Sequence, residues 1–288
     1  IISHNYPNAY SHTFGFFCKD QAEALAQFGH KVGVIAPLPI RVTELISKSL
    51  SLGFSKLVNT GVHTYLFLFP SLPKLSKLRY FLIEQIGKFL LKKYIKENGI
   101  PDIIHLHVFN AVKVAIYAKN KFEIPFVYTE HFSSIERGML KSHEVDLFNF
   151  AANNAHVNVA VSPSFAEGLE NKTNKKFINL PNVFKSDLYT YDKTKQKNKL
   201  FTFINVASLD SNKNHTRLIN SFKKFKKQNP ESQLIIVGNG PMKKELANFT
   251  RLNNWLRKNG FVVEEIPYAE IAKQEGLLRC STLPLIRD

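Results

Sequence analysis

Short runs of β-branched and aromatic residues alternate along this chain with longer stretches whose apolar positions recur at helical spacing. Apolar runs with a helix after each are the pattern of strands buried between helices in a parallel sheet. The strand candidates before residue 190 are "KVGVIAP" (31–37), "VHTYLFLF" (62–69), "DIIHLHV" (102–108), "PFVYTEH" (125–131), "HVNVAVS" (156–162) and "KFINLPN" (176–182). Between the strands lie helical stretches such as "FFCKDQAEALAQFG", with Gly29 where a glycine ends a helix. The expected fold class is α/β, with a doubly wound, Rossmann-like N-terminal lobe over residues 1–184.

"KSDLYTYDKTKQKNK", residues 185–199, is polar and lysine-dense with no apolar period, and reads as a linker. The alternation then restarts with "FTFINVAS" (201–208), the basic helix "HTRLINSFKKFKKQN" and "SQLIIVG" (232–238). A second α/β lobe therefore begins at residue 200, and its regular pattern is expected to run to 249, with an atypical tail over 250–288. That allows two or three βα units where a doubly wound sheet has about five or six strands, so the second lobe is expected to be truncated.

The chain of 288 residues is long for one domain and comfortable for two. Its two cysteines, Cys18 and Cys280, lie too far apart in sequence to be a disulfide framework, which points to a reducing, cytoplasmic compartment. No apolar run reaches membrane-spanning length and no signal-peptide pattern opens the chain. With no initiating Met and "II" leading into a loop, the chain is expected to start partway along its first strand. Lys and Arg number 39 against 23 Asp and Glu, a net charge of +16 that calls for an anionic partner such as lipid or nucleotide phosphates. Nucleic acid is set aside because no zinc-finger spacing, no RNA-binding aromatic signature and no basic recognition helix with an obvious partner is present.

Several stretches carry chemistry. "SLDSNKNH" (208–215) joins a strand to a helix, where free amides, a positive helix end and the Lys213 ammonium suit a phosphate. The same residues read equally well as a turn with a helix cap. "VGNGP" brackets Asn239 with Gly238 and Gly240, which suits either close approach to a ligand or an ordinary tight turn. His105 and His107 share one side of a strand, and with His131 they resemble a metal set, but no carboxylate or cysteine completes it, so no metal is expected. His131 ends its strand at the sheet edge where ligands bind, and Glu130 beside it faces the other way, as a cleft residue or a cap. The basic stretch 74–99, with apolar Leu78, Leu82, Ile86, Phe89 and Leu90, reads as a helix packed on the sheet or lying on an anionic membrane.

Taken in order, these motifs resemble the family-four glycosyltransferases, retaining enzymes of the GT-B fold, over about residues 2–249. The resemblance rests on "GFFCKDQAEALAQFGHKVGVIAP", "PDIIHLHVFNAVKVAIYAKNKFEIPFVYTEH", "VAVSPSFAEGL", "LPNVFKSDLY", "NVASLDSNKNHTRLINSF" and "LIIVGNGP". It implies transfer of a sugar from a nucleotide-sugar donor to an acceptor hydroxyl with retention and no required metal or other cofactor. It also implies that Gly15 sits near the donor phosphates, His131 near the transferred sugar as the catalytic-site residue, and Asn182 in the cleft loop. Lys213 would hold the diphosphate, with Gly238 and Asn239 bordering the nucleotide.

Two departures accompany the resemblance. Ser208 stands where the family often carries an arginine, and the later two-glutamate motif has no counterpart among Glu264, Glu265, Glu270 and Glu275. The donor site is therefore expected to be impaired, and a non-catalytic acceptor-binding or membrane-surface remnant is the alternative. From about Arg251 the tail is similar instead to the C-terminal end of the arginine deiminase and dimethylarginine hydrolase superfamily, with Cys280 as the analogue of its nucleophile. Guanidine hydrolysis also needs a histidine acid and gripping carboxylates, which the sequence does not supply, so Cys280 reads as a buried cysteine or the mark of a gene-fragment junction. The expected partners are a nucleotide sugar, a glycan or lipid-linked acceptor and an anionic membrane surface on the inner face.

Overall fold

The computed structural model describes residues 1–8, 11, 14–48, 51–72, 74–183, 200–242, 246 and 261–262. The linker 185–199, Cys280 and nearly all of the tail lie outside the described residues. The chain divides into two compact units, Ile1–Phe184 and Lys185–Asp288.

The first unit holds β1 (Ile2–Ser3), α1 (Phe16–Gln27), β2 (Val32–Arg41), α2 (Val42–Lys48), β3 (Gly53–Asn59), β4 (Val62–Ser71) and α3 (Ser76–Asn98). It continues with β5 (Ile104–His107), α4 (Val112–Phe122), β6 (Phe126–Glu130), α5 (Ser142–Asn154), β7 (Val157–Ala160), α6 (Pro163–Thr173) and β8 (Phe177–Asn179). These eight strands form one sheet in the order β3-β4-β2-β1-β5-β6-β7-β8. All pairs are parallel except β3 with β4.

Helices cover both faces because successive residues of a buried strand point to opposite sides. On one face Cys18 and Ala22 of α1 pack with Val32, Val34 and Ala36 of β2. On the other, Ile83, Leu90 and Leu91 of α3 and Val114, Ala115 and Ala118 of α4 pack with Ile35, Leu106, Phe126 and Tyr128. Each fully buried Val, Leu or Ile among them contributes about 1.5–3 kcal/mol relative to exposure. Strand order reverses at β1, which pairs β2 on one side and β5 on the other. That switch point opens a crevice at the carboxyl ends of the strands.

Two elements differ from the sequence reading. The edge strand β3 was not anticipated. Its pattern is almost wholly exposed and carries no apolar alternation, and it is fixed by a two-residue turn at Thr60 and Gly61, both at positive φ. The buried stripe of α3 is Tyr80, Ile83, Gly87, Leu90, Leu91 and Tyr94, while Leu78 and Phe89 are 49% and 50% exposed. Tyrosines with buried rings and a glycine at a close helix crossing carry the 3.6-residue period, which a count of aliphatic side chains misplaces. The α3 lysines do more than face water, since Lys88 pairs with Glu84 at 2.5 Å and Lys93 with Glu97 at 3.2 Å.

In the second unit β9 (Phe201–Val206), α7 (His215–Gln228), β10 (Ser232–Val237) and β11 (Phe261–Val262) are described. The three strands form a parallel sheet in the order β11-β10-β9. Among the described residues, no helix is long and apolar enough to cross a membrane.

Candidate active site

At the switch point, the loop after β1 folds back under the start of α1. Gly15 is the N-cap of α1 at φ 75°, and a Cβ there would overlap the Asn5 carbonyl and the Tyr6 amide. Only glycine meets both demands, the left-handed backbone and the close approach. The Cys18 amide bonds the Gly15 carbonyl at 2.9 Å, and the Cys18 side chain is buried against the Ser3 hydroxyl at 3.3 Å.

The histidines of β5 and the end of β6 form one stack. His105 and His107 share a face, with ring centroids 4.2 Å apart, as the strand period requires. His105 Nε2 meets Thr129 Oγ1 at 2.7 Å, and His107 Nδ1 meets His131 Nε2 at 3.0 Å. From α1, the Phe17 ring stacks on His131 at 3.9 Å and lies 6.0 Å from His107. His107 and His131 thus turn one ring nitrogen each toward the other, and His105 turns its Nε2 to Thr129. Among the described residues, no group of three or more His, Cys, Asp or Glu could hold a metal. Burial pushes the His105 imidazole down to about 3, so it stays neutral.

Glu130 occupies the opposite side and is fully buried. Its carboxylate accepts the backbone N–H of His131 at 2.7 Å and of Phe132 at 2.8 Å, and the Tyr128 hydroxyl donates to it. Burial pushes Glu130 up to about 7, against the pull of these hydrogen bonds. The carboxylate thus fixes the turn that presents His131. Asn182 follows β8 and is half-buried.

The second unit carries the other predicted residues. Asp210 caps a single 3₁₀ turn, Ser211–Lys213, accepting from the Asn212 amide at 3.0 Å and from the Ser208 hydroxyl at 2.5 Å. Asn214, in the left-handed conformation, then opens α7 without a side-chain cap on its first-turn amides. Lys213 is half-buried directly before this helix. The turn-and-cap reading is what the loop shows, because Asp210 caps the short turn, while the first-turn amides of α7 carry no side-chain cap.

Gly238 and Gly240 serve a backbone approach. A Cβ at Gly238 would overlap the Ala207 carbonyl, and one at Gly240 would lie 2.5 Å from the Leu209 carbonyl oxygen. The two loops are joined by Leu209 N–H to the Asn239 carbonyl and Met242 N–H to the Leu209 carbonyl, both at 2.9 Å. The Asn239 side chain turns back to its own neighbour, accepting from the Gly240 amide at 2.9 Å.

Sequence reasoning missed Phe17 as a neighbour of His131, and weighed His107 as part of a metal set only to set that set aside. The period-two His-x-His signal was visible, but Phe17 gave none, because its role depends on where α1 packs.

A parallel doubly wound lobe followed by a second parallel α/β unit is the architecture of the GT-B fold. The chain belongs to Glycosyltransferase Family 4, whose model matches residues 15–179, and the Glycosyl transferases group 1 model matches residues 190–273. The second match runs past Arg251 into the tail and stops before Cys280. The chain is 26% identical over 286 residues to the alpha-monoglucosyldiacylglycerol synthase of Acholeplasma laidlawii, covering 83% of this chain and 64% of that protein. It therefore spans less than two thirds of that relative. Among solved structures, sucrose-phosphate synthase from Thermosynechococcus elongatus matches at TM-score 0.61 and 14% identity, over 89% of this chain and 66% of that one. Anabaena HepE in complex with UDP matches at 0.56 and 15% identity, over 94% and 70%.

Proposed function

We propose that this chain transfers a sugar, with retention, from a nucleotide-sugar donor to an acceptor hydroxyl in glycan or glycolipid synthesis at the inner face of the membrane. The observation that carries the reading is the ordered pair of family matches, 15–179 and then 190–273, with Lys213 and the open first turn of α7 inside the second. A departing nucleoside diphosphate gains negative charge, and an ammonium beside unsatisfied amides stabilises it where that charge develops. In this reading Lys213 and the α7 amides receive the diphosphate without a resident metal, with Gly238 and Asn239 bordering the nucleotide. In the first unit, Gly15 lets the start of α1 approach the Asn5 backbone, and Asn182 and His131 are the residues that would meet the sugar. Glu130 and His107 hold His131 in place.

The relative from Acholeplasma laidlawii is named for making a glycolipid, and HepE was solved with UDP; both support a nucleotide-sugar donor and a lipid-linked or glycan acceptor here. The test is titration of UDP- and GDP-sugars followed by a transfer assay with lipid and glycan extracts. Saturable binding that Lys213→Ala weakens about 10-fold or more, the scale of a lost charge-assisted contact, is expected. No saturable donor binding by the chain, nor by a version extended at its C-terminus, would sink the proposal.

A further inference from the structure

α3 and α4 pack on one face of the first-unit sheet, and their contact gathers a basic cluster. A Cβ at Gly87 would lie 2.5 Å from Val114 Cγ2, so the two helices touch closely at that point. Around it Glu84, Lys88 and Lys92 recur every four residues on α3, as do Lys113, Tyr117 and Lys121 on α4. That spacing puts each set on one helix face, and the two faces meet. Lys113 Nζ lies 3.3 Å from Glu84 Oε2, and the Nζ atoms of Lys88, Lys92 and Lys121 lie 5.2, 5.7 and 6.0 Å from the centroid of the Tyr117 ring.

The Tyr117 hydroxyl oxygen at the centre of this cluster is buried and has no hydrogen-bond partner. A buried tyrosine hydroxyl ordinarily finds one, and this one has a proton to donate. The Phe122 ring meets the Tyr117 ring edge to face with centroids 5.9 Å apart, so the ring is held while its polar tip is not. Lysine stems packed on an aromatic ring account for the cation contacts, but they offer the hydroxyl no acceptor.

Charge points the same way. Three ammonium groups round one ring are attracted to it and repel one another. Glu84 bonds Lys88 at 2.5 Å but is shared with Lys113, and Glu123, the C-cap residue of α4, is exposed. Set against these two carboxylates, Lys88, Lys92, Lys113 and Lys121 keep positive charge in excess where the two helices meet.

We propose that the joint face of α3 and α4 binds a phosphate monoester: the Tyr117 hydroxyl donates to one phosphate oxygen, and the Lys88, Lys92 and Lys121 ammoniums neutralise its charge. A monoester suits this set better than a diester, because it carries a charge of about −1.5 to −2 at pH 7 and three acceptor oxygens. Lys92 and Lys121 are exposed, so the phosphate reaches the hydroxyl past flexible side chains and displaces neither helix. The site lies in the first unit, apart from the Lys213 loop of the second, and does not depend on the sugar-transfer reading. The monoester exists free, as glycerol or sugar phosphate, or as the headgroup of phosphatidic acid.

The test is equilibrium binding to the full chain with no nucleotide sugar present. Glycerol 3-phosphate is the soluble probe. Vesicles of phosphatidic acid, of the diester phosphatidylglycerol and of neutral phosphatidylcholine, compared in high salt where general charge attraction is screened, form the headgroup arm. Tyr117→Phe and the double variant Lys92→Gln, Lys121→Gln should each weaken binding about 10-fold or more, the scale of a lost hydrogen bond to a charged group, while Lys213→Ala leaves it unchanged. Tyr117→Phe keeps the ring and removes a hydroxyl with no partner to lose, so the melting temperature of the ligand-free chain should not fall. Tyr117-dependent binding of glycerol 3-phosphate names a free ligand, and the same dependence for phosphatidic acid vesicles alone names the headgroup. Binding of neither overturns the proposal, as does binding that survives Tyr117→Phe, even if the lysine variant weakens it, because a basic surface then suffices. Equal Tyr117-dependent binding of phosphatidic acid and phosphatidylglycerol overturns the choice of a monoester.

Discussion

Glu130 acts on the site from beneath it. Burial holds its carboxyl at about 7, well above its value in an unfolded chain. Between about pH 4.5 and 7 the folded protein keeps a proton that the unfolded chain releases, so wild-type stability falls as pH rises through that window, by on the order of 3 kcal/mol. Glu130→Gln does not titrate. Its stability relative to wild type should therefore rise between pH 5 and pH 8, measured by urea unfolding, and a constant difference would refute the burial argument. His4 and His105, both held down to about 3, act in the opposite sense: stability is lost as pH falls from about 6.5 toward 3, where the unfolded chain takes up protons first. That loss is common to both proteins and cancels in the comparison. At Gly15, alanine should cost about 1–2 kcal/mol from the left-handed backbone alone, before any overlap with Asn5, and thermal melting would register it. His131 and Gly15 were legible because they stand in recognisable motifs. The contacts of Phe17 and His107 with His131 were not, since they follow from the β5–β6 register and the packing of α1, neither of which is local in sequence.

Among the elements, α3 shows how far pattern reading goes. Its existence and length followed from the run of helical spacing across residues 74–99, but its buried stripe is rotated from the one that aliphatic residues suggest. The measurement that separates the two faces is a pair of truncations. Leu90→Ala, with its side chain fully buried, should lose about 2–5 kcal/mol of stability, whereas Leu78→Ala should change it by less than about 0.5 kcal/mol. Equal losses would place the helix in another rotation. β3 escaped sequence reading because an exposed edge strand needs no apolar period, and its pairing is set by the turn at Thr60 and Gly61.

For the whole molecule, the excess of 39 basic over 23 acidic residues is the dominant long-range property. Sedimentation with anionic vesicles is expected to exceed that with neutral ones. It should decline as salt shortens the screening length from about 10 Å at 0.1 M to about 3 Å at 1 M. Equal sedimentation with both would remove the membrane surface from the proposal. Sequence by itself determined the α/β class, two lobes and the order of the glycosyltransferase motifs, because period, punctuation and motif order are properties of neighbouring residues. Tertiary structure alone decided that Glu130 caps the His131 turn and that Phe17 and His107 flank His131. Phe17, His107 and His131 stand far apart in the chain and meet only where parallel strands end together at the switch point.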